Sequence, residues 1–360
     1  NNGTTGSIVD TGGIANTGTL YFNRSDAVTY GGVISGTGSV DVKASGDVTF
    51  TNNNPYTGWT HLNNGSQLTL GNGGTAGNIG STGLILMADA STIKFNRSDD
   101  ISFNPQFYNW GGSTKYITQQ GTGTTTLTGD NTNNWMSFNG TATTNYGKLK
   151  VTGDLGTGNS SFVNNSNLEF NSASNQSFNQ LTGSGNFTKD GAGTLTISDA
   201  NSFTGPTTIS GGRLVLSNYT IGGNILNNAA LTFGNGQSSS YAYSRVISGT
   251  GSVTSNGTLY LTGANTYTGG TINTSQLYIG NNGTTGSIVD TGGIENTGTL
   301  YFNRSDAVTY GGVVSGAGQL DVRASGDVTF TNNNTYTGWT SLNSSSNLTL
   351  GNGGTAGNIG

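Results

Sequence analysis

Residues 281–360 repeat residues 1–80 at 69 of 80 positions, so the fold must accept one segment twice, far apart along the chain. A single closed core does not grow in that way, whereas a stack of structural repeats does. The differences between the copies sort by type. Ile34 becomes Val314 and Val40 becomes Leu320, changes suited to inward positions. His61, Asn64 and Gly65 become Ser341, Ser344 and Ser345, changes suited to outward or turn positions. The chain therefore reads as one complete super-repeat over 1–280 and the start of the next over 281–360, cut from a longer array.

A finer period lies inside the unit. Leu/Ile-x-Phe phrases place Phe22, Phe95, Phe170, Phe233 and Phe302 at spacings of 73, 75, 63 and 69, an average of 70, so four sub-repeats make one unit. Each continues into a Gly-x-Gly turn, at 36–38, 121–123, 183–185, 249–251 and 316–318. An Asn-x-aromatic-Thr-Gly-x-Thr phrase follows at Asn54–Thr60, Asn201–Thr207, Asn265–Thr271 and Asn334–Thr340, with a remnant at Asn131–Trp135. Between these turns, segments such as Leu68-Thr-Leu70, Leu195-Thr-Ile197 and Leu259-Tyr-Leu261 alternate at period two, the mark of half-buried strands. No helical periodicity appears, so almost no helix is expected.

Short strands with a turn signal every ten or so residues leave sandwich domains or a coiled solenoid. The solenoid is favoured. No sub-repeat has the apolar bulk of a free-standing domain, the spacing varies as loop insertions would make it vary, and Asn and Thr abound where coils would stack like on like. Coils of about 20–25 residues, with parallel strands about 4.8 Å apart, predict an all-β β-solenoid forming a single elongated rod of roughly 15 turns.

Composition closes several alternatives. The 62 glycines could signal disorder, but 9% of residues are aromatic and the apolar residues are phased. A net charge of −5 with only 12 scattered Lys and Arg argues against nucleic acid. No apolar run is long enough to span a membrane as a helix, so no membrane insertion is expected within this segment. Absence of Cys removes disulfides and thiolate metal sites.

The phrase over Gly249–Gly280, GTGSVTSNGTLYLTGANTYTGGTINTSQLYIG, resembles the autotransporter-associated β-strand repeat, also called the passenger-associated transport repeat. Residues Gly183–Ser217 match nearly as well, and the copies ending at Gly71 and Gly351 carry Trp59 and Trp339 after the Thr-Gly. The resemblance implies a right-handed parallel β-helix, the passenger region of a type V secreted bacterial surface protein. It further implies export through an outer-membrane β-barrel and extracellular display. Passengers of this kind are commonly adhesins or self-association factors. The repeat is tied to transport and folding, so it carries over no catalytic residue.

Parallel β-helices also host polysaccharide-cleaving enzymes, which need two suitably spaced carboxylates. The one adjacent pair, Asp99-Asp100, reads as solvated turn residues. The single His61 is Ser in its own duplicate, which disfavours a ligand or base role. The expectation is no enzyme, no cofactor and no metal. Tyr56, Phe203, Tyr267 and Tyr336 share one motif position and are expected to pack on the next coil. Arg24, Arg97 and Arg304 of the FNRSD phrases are expected to pair with adjacent Asp on the surface at little energetic gain. The segment 101–120 breaks the rhythm. Phe103, Phe107, Tyr108, Trp110 and Tyr116 read either as a wider coil or a loop folded against the rod, or as an exposed aromatic patch for glycan or partner contact.

The function expected is that of an extracellular adhesin or self-associating structural element, acting through many weak lateral contacts with identical copies and serving cell–cell or biofilm attachment. A cell-surface glycan or protein is a further candidate partner. A passive spacer and a polysaccharide-binding or polysaccharide-cleaving β-helix are the alternatives.

Overall fold

The computed structural model describes residues 3–7, 10–43, 46–80, 83–112, 114–129, 140–154, 160–199, 201–217, 221–236, 240–323 and 326–359. The remnant phrase at Asn131–Trp135 lies outside them. The described residues are all-β, and their one helical turn is the 3-10 segment Asp10–Gly12. Strands pair in parallel with counterparts one coil further on, from steps as short as Leu214 to Leu231 to steps as long as Leu68 to Ile93. A strand that pairs with its counterpart one coil on makes a β-solenoid. The shortest coils are smaller than the sequence suggested, because their connecting turns are shorter.

Two compact units divide the chain, Asn1–Phe187 and Thr188–Gly360. The longest face of the first unit carries eight strands: Val28–Tyr30, Asp47–Phe50, Gln67–Leu70, Thr92–Phe95, Lys115–Gln119, Gly140–Thr144, Ser161–Asn164 and Gln180–Gly183. A second face carries Thr19–Phe22, Ser39–Val42, Thr60–Leu62, Leu84–Met87 and Gln106–Asn109. In the second unit the longest face runs from Thr194–Ile197 to Val314–Ser315 through seven strands.

Period-two alternation turns every second residue inward, and register stacks like residues. Val48, Leu68, Ile93, Ile117, Ala142, Phe162 and Leu181 form one continuous buried column. In the second unit Leu259, Leu277, Leu300 and Leu320 do the same. Each such leucine contributes about 1.5–3 kcal/mol by leaving water.

The Gly-x-Gly turn has two separate physical causes. In four of the five turns the first glycine sits in the left-handed region, with φ from +94° at Gly183 to +102° at Gly249, and Gly121 is the exception. The second lies against the coil before it. A Cβ on Gly38 would run into the Gly18 carbonyl oxygen, so only glycine lets the backbones approach.

The motif Asn replaces ladder hydrogen bonds at a corner where the strands are interrupted. Asn54 Oδ1 accepts from Ile34 N at 2.7 Å, and its Nδ2 donates to the carbonyls of Asn52 and Asn78 at 2.8 and 3.3 Å. Asn265 and Asn334 repeat this pattern. The stacking of like residues expected from the sequence is present in part, as in Asn273 Nδ2 donating to Asn296 Oδ1 at 2.8 Å. Capping of backbone groups is the commoner use of these amides. The buried Lys189 serves a corner likewise, donating to the carbonyls of Asp190, Gly191 and Gly211 at 2.7, 2.9 and 3.1 Å.

Candidate binding surfaces

The outward side of the eight-strand face is a polar plane. One row reads Thr29, Thr49, Thr69, Lys94, Thr118, Thr143, Val163, Thr182, each residue beside the next across the parallel ladder. Threonine fills all but two of these positions, and all of these threonines except the buried Thr69 keep exposed surface, so the face offers a row of hydroxyls with almost no charge. Lys94, the one charged residue in the row, lies 3.7 Å from Asp47 in the row alongside. A further face compensates its charges locally too: Glu169 lies 2.8 and 2.7 Å from Lys148 and Lys150. Burial pushes the Glu169 carboxyl up, but the two lysines outweigh it and hold the group below its ordinary range.

The second face of the same unit is different. Its outward row runs Tyr21, Asp41, His61, Leu86, Tyr108. Lys43 lies over the Tyr21 ring at 4.2 Å and 3.9 Å from Asp41. Asp41 accepts from the Asn63 amide and lies 3.8 Å from His61 Nδ1. The His61 imidazole is stacked flat on Trp110, with centroids 5.1 Å apart and planes 4° from parallel. Trp59 and Trp110 stand out from this face, 55% and 57% exposed.

Comparison with known proteins bears on these surfaces. The passenger-associated-transport-repeat family matches five segments, residues 45–66, 117–144, 187–216, 253–272 and 325–344. This chain carries passenger-associated transport repeats. Among curated proteins, an autotransporter adhesin, BmaC, of Brucella suis biovar 1 (strain 1330) is 51% identical over 75 residues. That match covers 19% of this chain and 2% of the Brucella protein. No solved structure matches. The match at 117–144 includes the stretch where only a remnant was apparent from sequence, and part of it lies outside the described residues.

In the transport-repeat coils the motif aromatics point inward, and Tyr56, Phe203, Tyr267 and Tyr336 are all buried. Each tyrosine hydroxyl lies 2.6 Å from the hydroxyl of the motif threonine four residues on, Thr60, Thr271 and Thr340. Where the motif has Phe203, the buried Thr207 hydroxyl is left without that partner. Burial of Tyr56 and Tyr267 pushes both phenols up.

The five aromatics singled out in 101–120 do not share a surface. Phe103 and Phe107 are core residues, with the Phe103 ring 4.7 Å from Phe95 and 6.1 Å from Phe107. Tyr108 and Trp110 belong to the second face, and Tyr116, 40% exposed, to the eight-strand face. The segment is thus a regular coil whose alternate residues part to opposite sides.

Asp99 and Asp100 have separate partners. Asp99 is gripped by Arg97 through two bonds of 2.9 and 2.7 Å, which hold its carboxyl below the ordinary range, and Asp100 accepts from Thr124 N at 2.8 Å. The FNRSD arginines do more than the surface pairing expected. Arg97 is buried and also donates to the Thr75 carbonyl and to Asn53 Oδ1. Arg304 reaches the carbonyls of Gly286 and Thr284 at 2.9 and 2.7 Å besides pairing with Asp306. Each arginine clamps a glycine-rich loop, a partner too far along the sequence to read from the motif.

Proposed function

We propose that this chain is part of an extracellular passenger displayed at a bacterial surface, where it serves as an adhesin by associating with copies of itself. The observation that carries this reading is the threonine column of the eight-strand face. Parallel ladders of hydroxyls with little charge allow two such faces to approach without like-charge repulsion. Repetition adds many weak contacts into one firm one. The transport repeats and the adhesin name of the Brucella relative support the surface placement. The chain spans about 2% of that relative, so the role of the whole protein is part of the proposal. No catalytic step enters it.

Sedimentation velocity over a wide concentration range tests it. Wild-type chain should form larger species as concentration rises. The double variant Thr118→Lys/Thr143→Lys, which sets two extra charges on the plane, should stay monomeric at the same concentrations. A wild-type chain that is strictly monomeric throughout defeats the reading and leaves a passive spacer.

A further inference from the structure

The second face of the first unit holds exposed tryptophans that the fold does not require. The motif position of Trp59 is filled by Pro206 and Gly270 in other copies, so the turn forms without an indole there. Yet Trp59, directly before the strand Thr60–Leu62 that is paired on both sides, is 55% exposed. Trp110 is 57% exposed and is held in place by the His61 imidazole stacked against one side of it, 5.1 Å away and within 4° of parallel. Two coils and four strand positions separate Trp59 from Trp110, which puts their backbones on the order of 16 Å apart. Beside His61 on the same face lie the Asn63 amide and the Asp41 carboxylate.

We propose that this strip binds an uncharged polysaccharide chain. Flat indoles, one of them held by His61, suit the C–H faces of sugar rings, and amide and carboxylate groups suit hydroxyls. The spacing suits a short oligosaccharide length better than a single ring. Charge decides against an anionic chain. Lys43 lies 3.9 Å from Asp41, so its charge is already matched and the strip does not favour such a ligand. The site is separate from the threonine plane and does not depend on self-association.

Affinity electrophoresis of the whole chain in native gels cast with mannan, dextran or galactan, and with polygalacturonate as the anionic counterpart, tests the proposal. Retardation is expected in at least one neutral polymer. It should weaken roughly two- to tenfold in Trp110→Ala or Trp59→Ala, the range for loss of one ring contact, and vanish in the double variant. Circular dichroism of the variants should match the parent, since both side chains are outside the core. Mobility equal to that in a blank gel for every neutral polymer overturns the site, as does retardation unchanged in the double variant or found only with polygalacturonate. Thr118→Lys/Thr143→Lys should leave the retardation intact, which keeps this result distinct from the self-association test.

Discussion

Leu62, Leu68 and Leu70 have no exposed surface, whereas Leu342 and Leu350, duplicates of the first and last, expose 50% and 47%. The local sequences are nearly the same, and so are the strands. The difference is in the neighbours. Thr60–Leu62 and Gln67–Leu70 are paired on both sides, while Thr340–Leu342 and Asn347–Leu350 are paired on one. Tyr21 and Tyr301 show the same effect in the other direction. Tyr21 is 54% exposed, but Tyr301 is 7% exposed because it lies on Tyr278 at 4.0 Å, which lies on Tyr260 at 4.3 Å. In this architecture a residue is buried by the coil beside it, and its own sequence only makes it fit to be buried.

The largest expected consequence concerns the leucines. Leu70→Ala should destabilise its coil by about 2–5 kcal/mol, through lost burial and a residual cavity. Leu350→Ala, already half exposed, should cost well under half of that. Hydrogen exchange resolved by coil measures both, and equal losses would break the comparison. A smaller effect is expected at the motif tyrosines. Tyr56→Phe leaves the buried Thr60 hydroxyl unpartnered and should cost about 1–3 kcal/mol. Tyr336→Phe should cost less, because Thr340 is only half-buried and water can replace the bond. The reverse change, Phe203→Tyr, should stabilise its coil by roughly 0.5–1.5 kcal/mol, since Thr207 awaits a partner. A loss there would show that the pocket has no room for the hydroxyl.

Acid gives the smallest effect. Hydrogen bonds from Arg24 and Arg304 lower the carboxyls of Asp26 and Asp306 below their ordinary value of 3.8. The folded state therefore binds fewer protons than the unfolded chain in this range. The contribution is complete above that value and is lost as pH falls through the lowered folded value. Amides near Thr284–Gly286, clamped by Arg304, should lose protection below about pH 4, and Arg304→Gln should remove that dependence. Protection that stays flat well below that pH in the parent would discount the clamp.

Much of this was open to reading in the sequence because coil corners repeat their chemistry. Alternation set which residues of Ser39–Val42 turn inward, and the Asn-x-Tyr-Thr-Gly phrase marked where chains bend. The two glycines of each turn were visible as a signal, though their separate causes needed φ angles and the carbonyl of the coil before. What stayed hidden depends on register between coils of unequal length. The step from Leu68 to Ile93 is longer than the step from Val48 to Leu68, so Trp110 could not be placed beside His61 by counting. The same uncertainty grouped Phe103 and Phe107 with Tyr108 and Trp110, when alternation along a regular coil sends the two pairs to opposite sides. The arginine clamps escaped for a related reason, since Arg97 and the Thr75 carbonyl meet only once the coils are stacked.

Pairing each strand with a partner a single coil away has a consequence for how such a chain is assembled. The entropy of closing a loop depends on its length, and folding slows as contacting residues become more distant along the chain. Here each closure spans one turn, whether it joins Val40 to Thr60 or their duplicates Leu320 and Thr340. Lengthening the array by another unit adds closures of the same size and none that are longer. A gene that doubles this segment therefore lengthens the protein while leaving each step of its folding as short as before.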